Sequence, residues 1–383
     1  MLSNLIKFIQ SHEGINDKDV LAQLICERFG CVRDRSVYYT SKFAIRFSKA
    51  NSSSFSNTVL SLSTLQKYDD RPFIVCVCTP TANYLLLANS SFLKKISHSS
   101  HDLRVDNIRG SFNGSDIVRE IDGIVNSPEN FGILFAIHHN ITFDENLVRL
   151  VEATNDIVPT GEKFDVSKND RLKNILEAPN RAIAFSSSHD YIDLHSDLDE
   201  RTHKFENEIL IASCIENVNI RGRIIEYIIA GDDVLMREKL IDALVNRNEV
   251  PRLITRDGLG DYEKVYEEYH TETDIKTKIM VLPSAPKGYN LDKMLEFLAE
   301  DNTVFMIYLV GIDYRNKTIK TKLISMFQET LIDSTVVQSH WAGRNSRGVS
   351  QFNGEAIKQI ILKEDNVINR EKAIIFLNKI SSL

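Results

Sequence analysis

Thr273-Asp274-Ile275-Lys276-Thr277-Lys278-Ile279-Met280-Val281-Leu282 decides how the second half of this 383-residue chain is read. Four apolar residues in a row close the stretch, and the residues before them carry charge at every second position. That period of two marks a strand, in which residues two apart share a face. Asp274, Lys276 and Lys278 therefore point one way, and Ile275 points the other, toward a core. A carboxylate and an ammonium held two apart on a rigid strand suit phosphodiester hydrolysis. The acid holds Mg²⁺, and the cation positions or polarises water; both offset the extra negative charge of a phosphorane-like transition state. Acid-x-Lys occurs once in the chain, here. The competing account is a solvated, salt-bridged strand face. The apolar run that follows argues instead for an interior strand.

Working outward, a second carboxylate is expected from a partner strand. Asp261 follows the turn Asp257-Gly258-Leu259-Gly260 and opens Tyr262–His270, expected antiparallel to the Asp274 strand. Glu263 and Glu272 are the substitutes, Glu272 sharing the face of Asp274 by parity. A turn or capping role is the alternative for Asp261. Upstream, Arg221–Ala230 reads as a helix whose core stripe is Ile224, Ile225, Ile228 and Ile229. Glu226 lies at the edge of that stripe, poised either to reach a metal or to pair with Arg223. Downstream, Leu291, Met294, Leu295 and Leu298 mark an amphipathic helix, and Val304–Val310 a fully buried strand.

Helix glutamate, acid at the start of a hairpin, Asp-x-Lys on the return strand, helix, buried strand: over roughly 205–310 this order resembles the PD-(D/E)xK nucleases, in particular type II restriction endonucleases. The resemblance implies an α/β fold whose mixed central sheet is flanked by helices. It implies Asp261 and Asp274 as Mg²⁺ ligands, Lys276 as catalytic lysine and Glu226 as a supporting catalytic and metal residue. Gly260 stands where the family has proline. The implied activity is Mg²⁺-dependent, sequence-specific cleavage of double-stranded DNA by a homodimer, with two sites matching two strands. A cognate DNA methyltransferase would be a genetic partner. A repair or junction-resolving nuclease is the near alternative, and a non-catalytic DNA-binding regulator the distant one.

His340–Phe352 combines arginines, amides, hydroxyls and glycines, and Arg344, Asn345, Ser346, Arg347, Ser350 and Gln351 are candidate DNA contacts together with Lys278. An ordinary polar surface loop is the rival account.

The remainder of the chain sets the frame. Residues 1–155 are expected to form a separate α/β domain of recognition or control, 156–204 a polar connector, and 205–383 the nuclease domain. Within the first, residues 1 to about 30 read as helix, Val37–Leu87 as strands, Ser115–Val125 as helix and Gly132–Ile137 as strand. The net charge of −7 weighs mildly against a nucleic-acid binder, although a local basic cleft can coexist with an acidic remainder. Five cysteines, an odd number, speak against a disulfide framework. The absence of any bilayer-length apolar run, and of a signal-type start at Met1–Leu5, leads to an expected cytoplasmic location without membrane contact. Two histidine groups, His189/Asp190/Asp193/His195/Asp197 and His138-His139-Asn140, imitate metal sites. The first reads as a solvated connector and the second as structural.

Overall fold

The computed structural model describes residues 2–99, 110–158, 163–251, 253, 258–339, 346–363 and 366–383. The chain is mixed α/β and divides into two compact units: Met1–Thr160 with Ser339–Arg344, and Gly161–Gln338 with Asn345–Leu383. Among the described residues no helix is long and apolar enough to cross a membrane, and all five cysteines are free.

The first unit is organised by the fully buried strand Phe73–Cys78. It runs parallel to Ala44–Lys49 and antiparallel to Asn83–Leu87 within a five-stranded sheet. Successive side chains of a strand face opposite ways, and here they feed two separate cores. Phe73, Val75 and Val77 pack with residues of helices Leu62–Tyr68 and Phe143–Asn155. Ile74, Cys76 and Cys78 pack with residues of Leu2–Gln10, Lys18–Phe29 and Phe131–His138.

Three expectations for this unit are corrected. The single N-terminal helix is two, parted at Gly14 (φ 85°) with Asp17 capping the second. The expected helix at 115–125 is a 3₁₀ turn followed by a hairpin, Glu120–Ile121 with Ile124–Val125. Asp122 and Gly123 both adopt positive φ at its tip, the Asp-Gly signal of a two-residue turn. Gly132–Ile137, expected as a strand, lies in helix Phe131–His138, which buries Phe131, Leu134 and His138 at helical spacing. A short apolar run does not by itself distinguish the two.

In the second unit, four strands pair in the order β1 (Tyr262–Val265), β2 (His270–Ile279), β3 (Thr303–Asp313), β4 (Thr318–Ser325). The β2–β3 pair is parallel, and both outer pairs are antiparallel. Every residue of β3 except Asp313 is buried, as a strand covered on both faces requires.

Residues 156–204, expected as a connector, contain two helices of this core: α1 (Arg171–Ser186) and α2 (His189–Lys204). Their apolar residues are sparse but fall on one stripe. Ile175, Ala178, Ala182, Phe185, Leu194 and Leu198 are all buried in the core that holds β3. The acidic, histidine-bearing face of α2 binds the sheet: Tyr308 Oη donates to Asp199 at 2.7 Å, and Tyr262 Oη donates to Asp197. Tyr262 pairs with Thr273, and Tyr308 with Ile275, so α2 covers the odd-numbered face of β2. Asp274 and Lys276 point away from it.

Candidate functional site

Pairing between β1 and β2 ends at Tyr262↔Thr273, one residue before Asp274. A backbone N–H left at the end of a ladder needs another acceptor. Asp261 supplies it: its Oδ2 accepts from Ile275 N at 2.8 Å, and its own N–H donates to Thr273 O at 2.9 Å. This pins the Asp261 carboxylate beside β2. Gly260 makes that approach possible. A Cβ there would lie 2.8 Å from Thr273 O, and its N–H donates to the buried Glu272 carboxylate at 2.6 Å. Proline would have neither the room nor the donor, which accounts for glycine at this position. Glu272 thereby serves the turn. We expect Gly260→Ala to cost about 1–3 kcal/mol through overpacking and to displace Asp261. Denaturant unfolding measures the first effect, and calorimetric titration with Mg²⁺, for which Asp261 is an expected ligand, tests the second.

Asp274 is only 4% exposed. Its Oδ1 accepts from Lys276 Nζ at 2.7 Å, while its Oδ2 is buried and, among the described residues, has no hydrogen-bond partner. Burial, then the charge of Asp261, push the Asp274 carboxyl well above the usual carboxylate range, with Lys276 opposing them. Burial alone would lower the Lys276 ammonium; Asp274, Asp261 and Glu226 more than offset it and hold the group above its ordinary value. Glu226 comes from helix α3 (Val218–Ala230), whose isoleucines 224, 225, 228 and 229 are buried. Burial first and Asp261 second push Glu226 up to about 7, with Lys276 and Arg223 opposing. Asp261 and Lys276 each act on the carboxyls of both Asp274 and Glu226, so the four expected catalytic residues gather in one place. Three carboxyl groups around one ammonium leave the cluster short of positive charge.

Among the described residues no group of three His, Cys, Asp or Glu is already arranged to hold a metal ion. The fit for a divalent cation rests on two acids, the orphaned Asp274 Oδ2 and its neighbour Asp261. Buried polar atoms without partners are uncommon, and an oxygen-rich anionic recess is the donor set that Mg²⁺ takes, with water filling the remaining positions.

The Glu226 shift has a definite sign. Its carboxyl holds a proton more tightly in the folded chain, at about 7, than at the ordinary value of 4.5. The associated stability is fully present below about pH 4.5 and is lost as pH rises through about 7. Glu226→Gln should therefore be more stable than the parent by up to about 3 kcal/mol at pH 8 in EDTA. The two should converge near pH 4.5. Urea midpoints across that range check it; equal midpoints at pH 8 would remove the electrostatic assignment.

A cleft of about 680 Å³ opens onto Glu226 and Lys276, bounded by α3, the 284–288 segment and Gln351. Of the expected DNA contacts, Gln351 lines this cleft. Lys278, Ser346, Arg347 and Ser350 do not line it. Lys278 is fully buried, and its ammonium donates to Leu282 O and, at 3.1 Å, to Ser284 O, tying down the turn after β2. Arg347 is buried in an ion pair with Asp292 and donates to Phe164 O at 2.9 Å. Ser350 is buried and accepts from Tyr289 N at 2.9 Å. Ser346 is half-buried and accepts from Gly348 N. Arg344 and Asn345 lie outside the described residues. Sequence reasoning took these residues for one loop; Gly348–Gln351 is instead a strand paired with Lys287–Asn290.

Neither histidine group forms a site. Asp193 and Asp197 are engaged by Lys264, and Asp197 also by Arg201. His138 is buried between Ser91 Oγ (2.8 Å) and Asp69 O (2.7 Å). The cleft residues Gly222 and Lys287 went unrecognised in sequence. A glycine inside an otherwise regular helix was the available signal.

Comparison with protein-family models, curated proteins and solved structures finds no match to this chain.

Proposed function

We propose that this protein is a Mg²⁺-dependent endonuclease acting on double-stranded DNA, of the type II restriction kind. The observation that carries the proposal is the state of Asp274. One carboxyl oxygen accepts from the Lys276 ammonium and the other is buried and, among the described residues, accepts no hydrogen bond, beside the Asp261 carboxyl. The order of elements supports a restriction-endonuclease-like core: glutamate on α3, acid ahead of β1, Asp-x-Lys on β2, then helix Leu291–Leu298 and the buried β3.

Asp274 Oδ2 and Asp261 would hold the ion, with Glu226 at the rim. Bound there, Mg²⁺ supplies Lewis-acid polarisation of a phosphodiester oxygen and a water of lowered pKa. Lys276, fixed at 2.7 Å by Asp274 Oδ1, presents its remaining N–H groups to orient the attacking water and to meet charge developing on the phosphate. Because Asp274 and Lys276 project from the middle of a strand buttressed by β3, neither group wanders. Attack in line with the leaving oxygen is what the resemblance to PD-(D/E)xK nucleases implies. A homodimer presents one such site to each strand of the duplex.

Incubation of the purified protein with plasmid DNA, in Mg²⁺ and in EDTA, tests the proposal. Discrete fragments in Mg²⁺ alone support it, and preference for branched DNA redirects it to a repair or junction-resolving nuclease. A mobility shift without cleavage identifies a DNA-binding regulator and rejects the catalytic role.

A further inference from the structure

The cleft leading to Glu226 and Lys276 has features that the metal site does not need. Gly222 lies on its wall, inside helix α3 and one turn before Glu226. Among the described residues a Cβ at Gly222 would meet only Glu226 Oε1, at 3.5 Å, an ordinary contact. Alanine would therefore fit, and alanine is the better helix former. No described residue calls for glycine here. Glycine is the residue that lets another chain come close to a backbone, and the open side of Gly222 is the cleft.

Charge on the walls agrees. Arg223 stands next to Gly222, and Lys287 lies on the 284–288 segment. Lys287 is exposed and makes no ion pair among the described residues. Gln351 gives its amide oxygen to Gln338 Nε2, which leaves its NH₂ as the end free to donate. A phosphodiester approaching three carboxyl groups is repelled unless cations flank its path, and such cations occur here on two separate elements.

We propose that this cleft seats the DNA strand next to the scissile phosphate. Arg223 and Lys287 hold its phosphates from two walls, and Gly222 lets the sugar–phosphate backbone pass close to α3. The proposal rests on the nuclease reading and names the strand-holding residues of that same site. The contacts are with phosphate and carry no sequence information of their own.

The test is fluorescence anisotropy of a labelled DNA duplex with the full chain in EDTA, where no cleavage occurs, across a range of salt. Arg223→Gln and Lys287→Gln should each weaken binding several-fold. Each should also reduce the slope of log affinity against log salt by about 0.9, the value for one lost phosphate contact. Gly222→Ala should raise Tm by about 1–4 °C and still weaken binding, a pairing of signs that damage to the fold does not produce. If the parent binds and cleaves DNA while the two charge variants keep its affinity and slope, the strand lies elsewhere and the nuclease reading stands. Gly222→Ala with unchanged affinity removes the close approach. If the parent neither binds DNA nor cleaves it in Mg²⁺, both proposals fall together.

Discussion

Replacing Asp274 with asparagine is expected to reduce Mg²⁺-dependent DNA cleavage on the order of 10³-fold or more while leaving affinity for DNA in EDTA undiminished. The amide keeps an oxygen for Lys276 Nζ, now 2.7 Å from Oδ1, so the strand and the lysine stay in place. What disappears is the carboxyl oxygen Oδ2, which is buried and, among the described residues, accepts no hydrogen bond. Loss of a metal ligand at the reacting centre removes several kcal/mol of transition-state stabilisation, and each 1.36 kcal/mol is tenfold in rate. The same change relieves the burial and the Asp261 repulsion that push the Asp274 carboxyl upward, so the variant should gain stability in EDTA. Asp274→Ala should lose activity equally and lose stability as well, because Lys276 is then a largely buried ammonium with its closest partner deleted. Single-turnover cleavage and denaturant unfolding separate these effects. Full activity in the asparagine variant would end the assignment of Asp274.

The second large effect concerns a residue that sequence placed on DNA. Arg347→Ala should destabilise the second unit by about 3–5 kcal/mol, the cost of stripping one partner from a buried charge pair. The guanidinium binds Asp292 and Phe164 O, and the Arg347 side chain is 7% exposed. Asp292 also accepts from the Arg347 and Phe164 backbone N–H groups, so the pair ties residue 164, helix Leu291–Leu298 and the approach to Gly348–Gln351 together. Urea unfolding should show the loss directly. An arginine that served only DNA would instead change affinity and leave the urea midpoint where it was.

These two residues mark what each level of description could supply. Asp274 and Lys276 were legible because strand geometry is local: a period of two places them on one face whatever surrounds the strand. The same holds for Ile224, Ile225, Ile228 and Ile229, whose helical spacing named a core stripe and left Glu226 at its edge. The antiparallel pairing of the strand after Asp261 with the Asp274 strand was also readable, from the polar run that opens after the Gly258-Leu259-Gly260 turn and the apolar run beyond Lys278.

Whether a polar side chain is free or spoken for is not local. Lys278 has the same parity as Lys276, yet it is buried in the carbonyls of its own turn, because the chain folds back through Leu282 and Ser284. Arg347 and Ser350 read as surface donors until partners far away in sequence, Asp292 and Tyr289, occupy them. Helices α1 and α2 looked like a connector since their few apolar residues are spread among charges; only the sheet beneath them shows that those residues form one stripe.

By itself the sequence determined the alternation that sets an acid and a lysine side by side on β2, because backbone stereochemistry requires it. The tertiary structure alone decided which of the chain's many polar groups remain without a partner. Hydrogen bonds and ion pairs are exclusive, and the partners that use them up arrive from elsewhere in the chain.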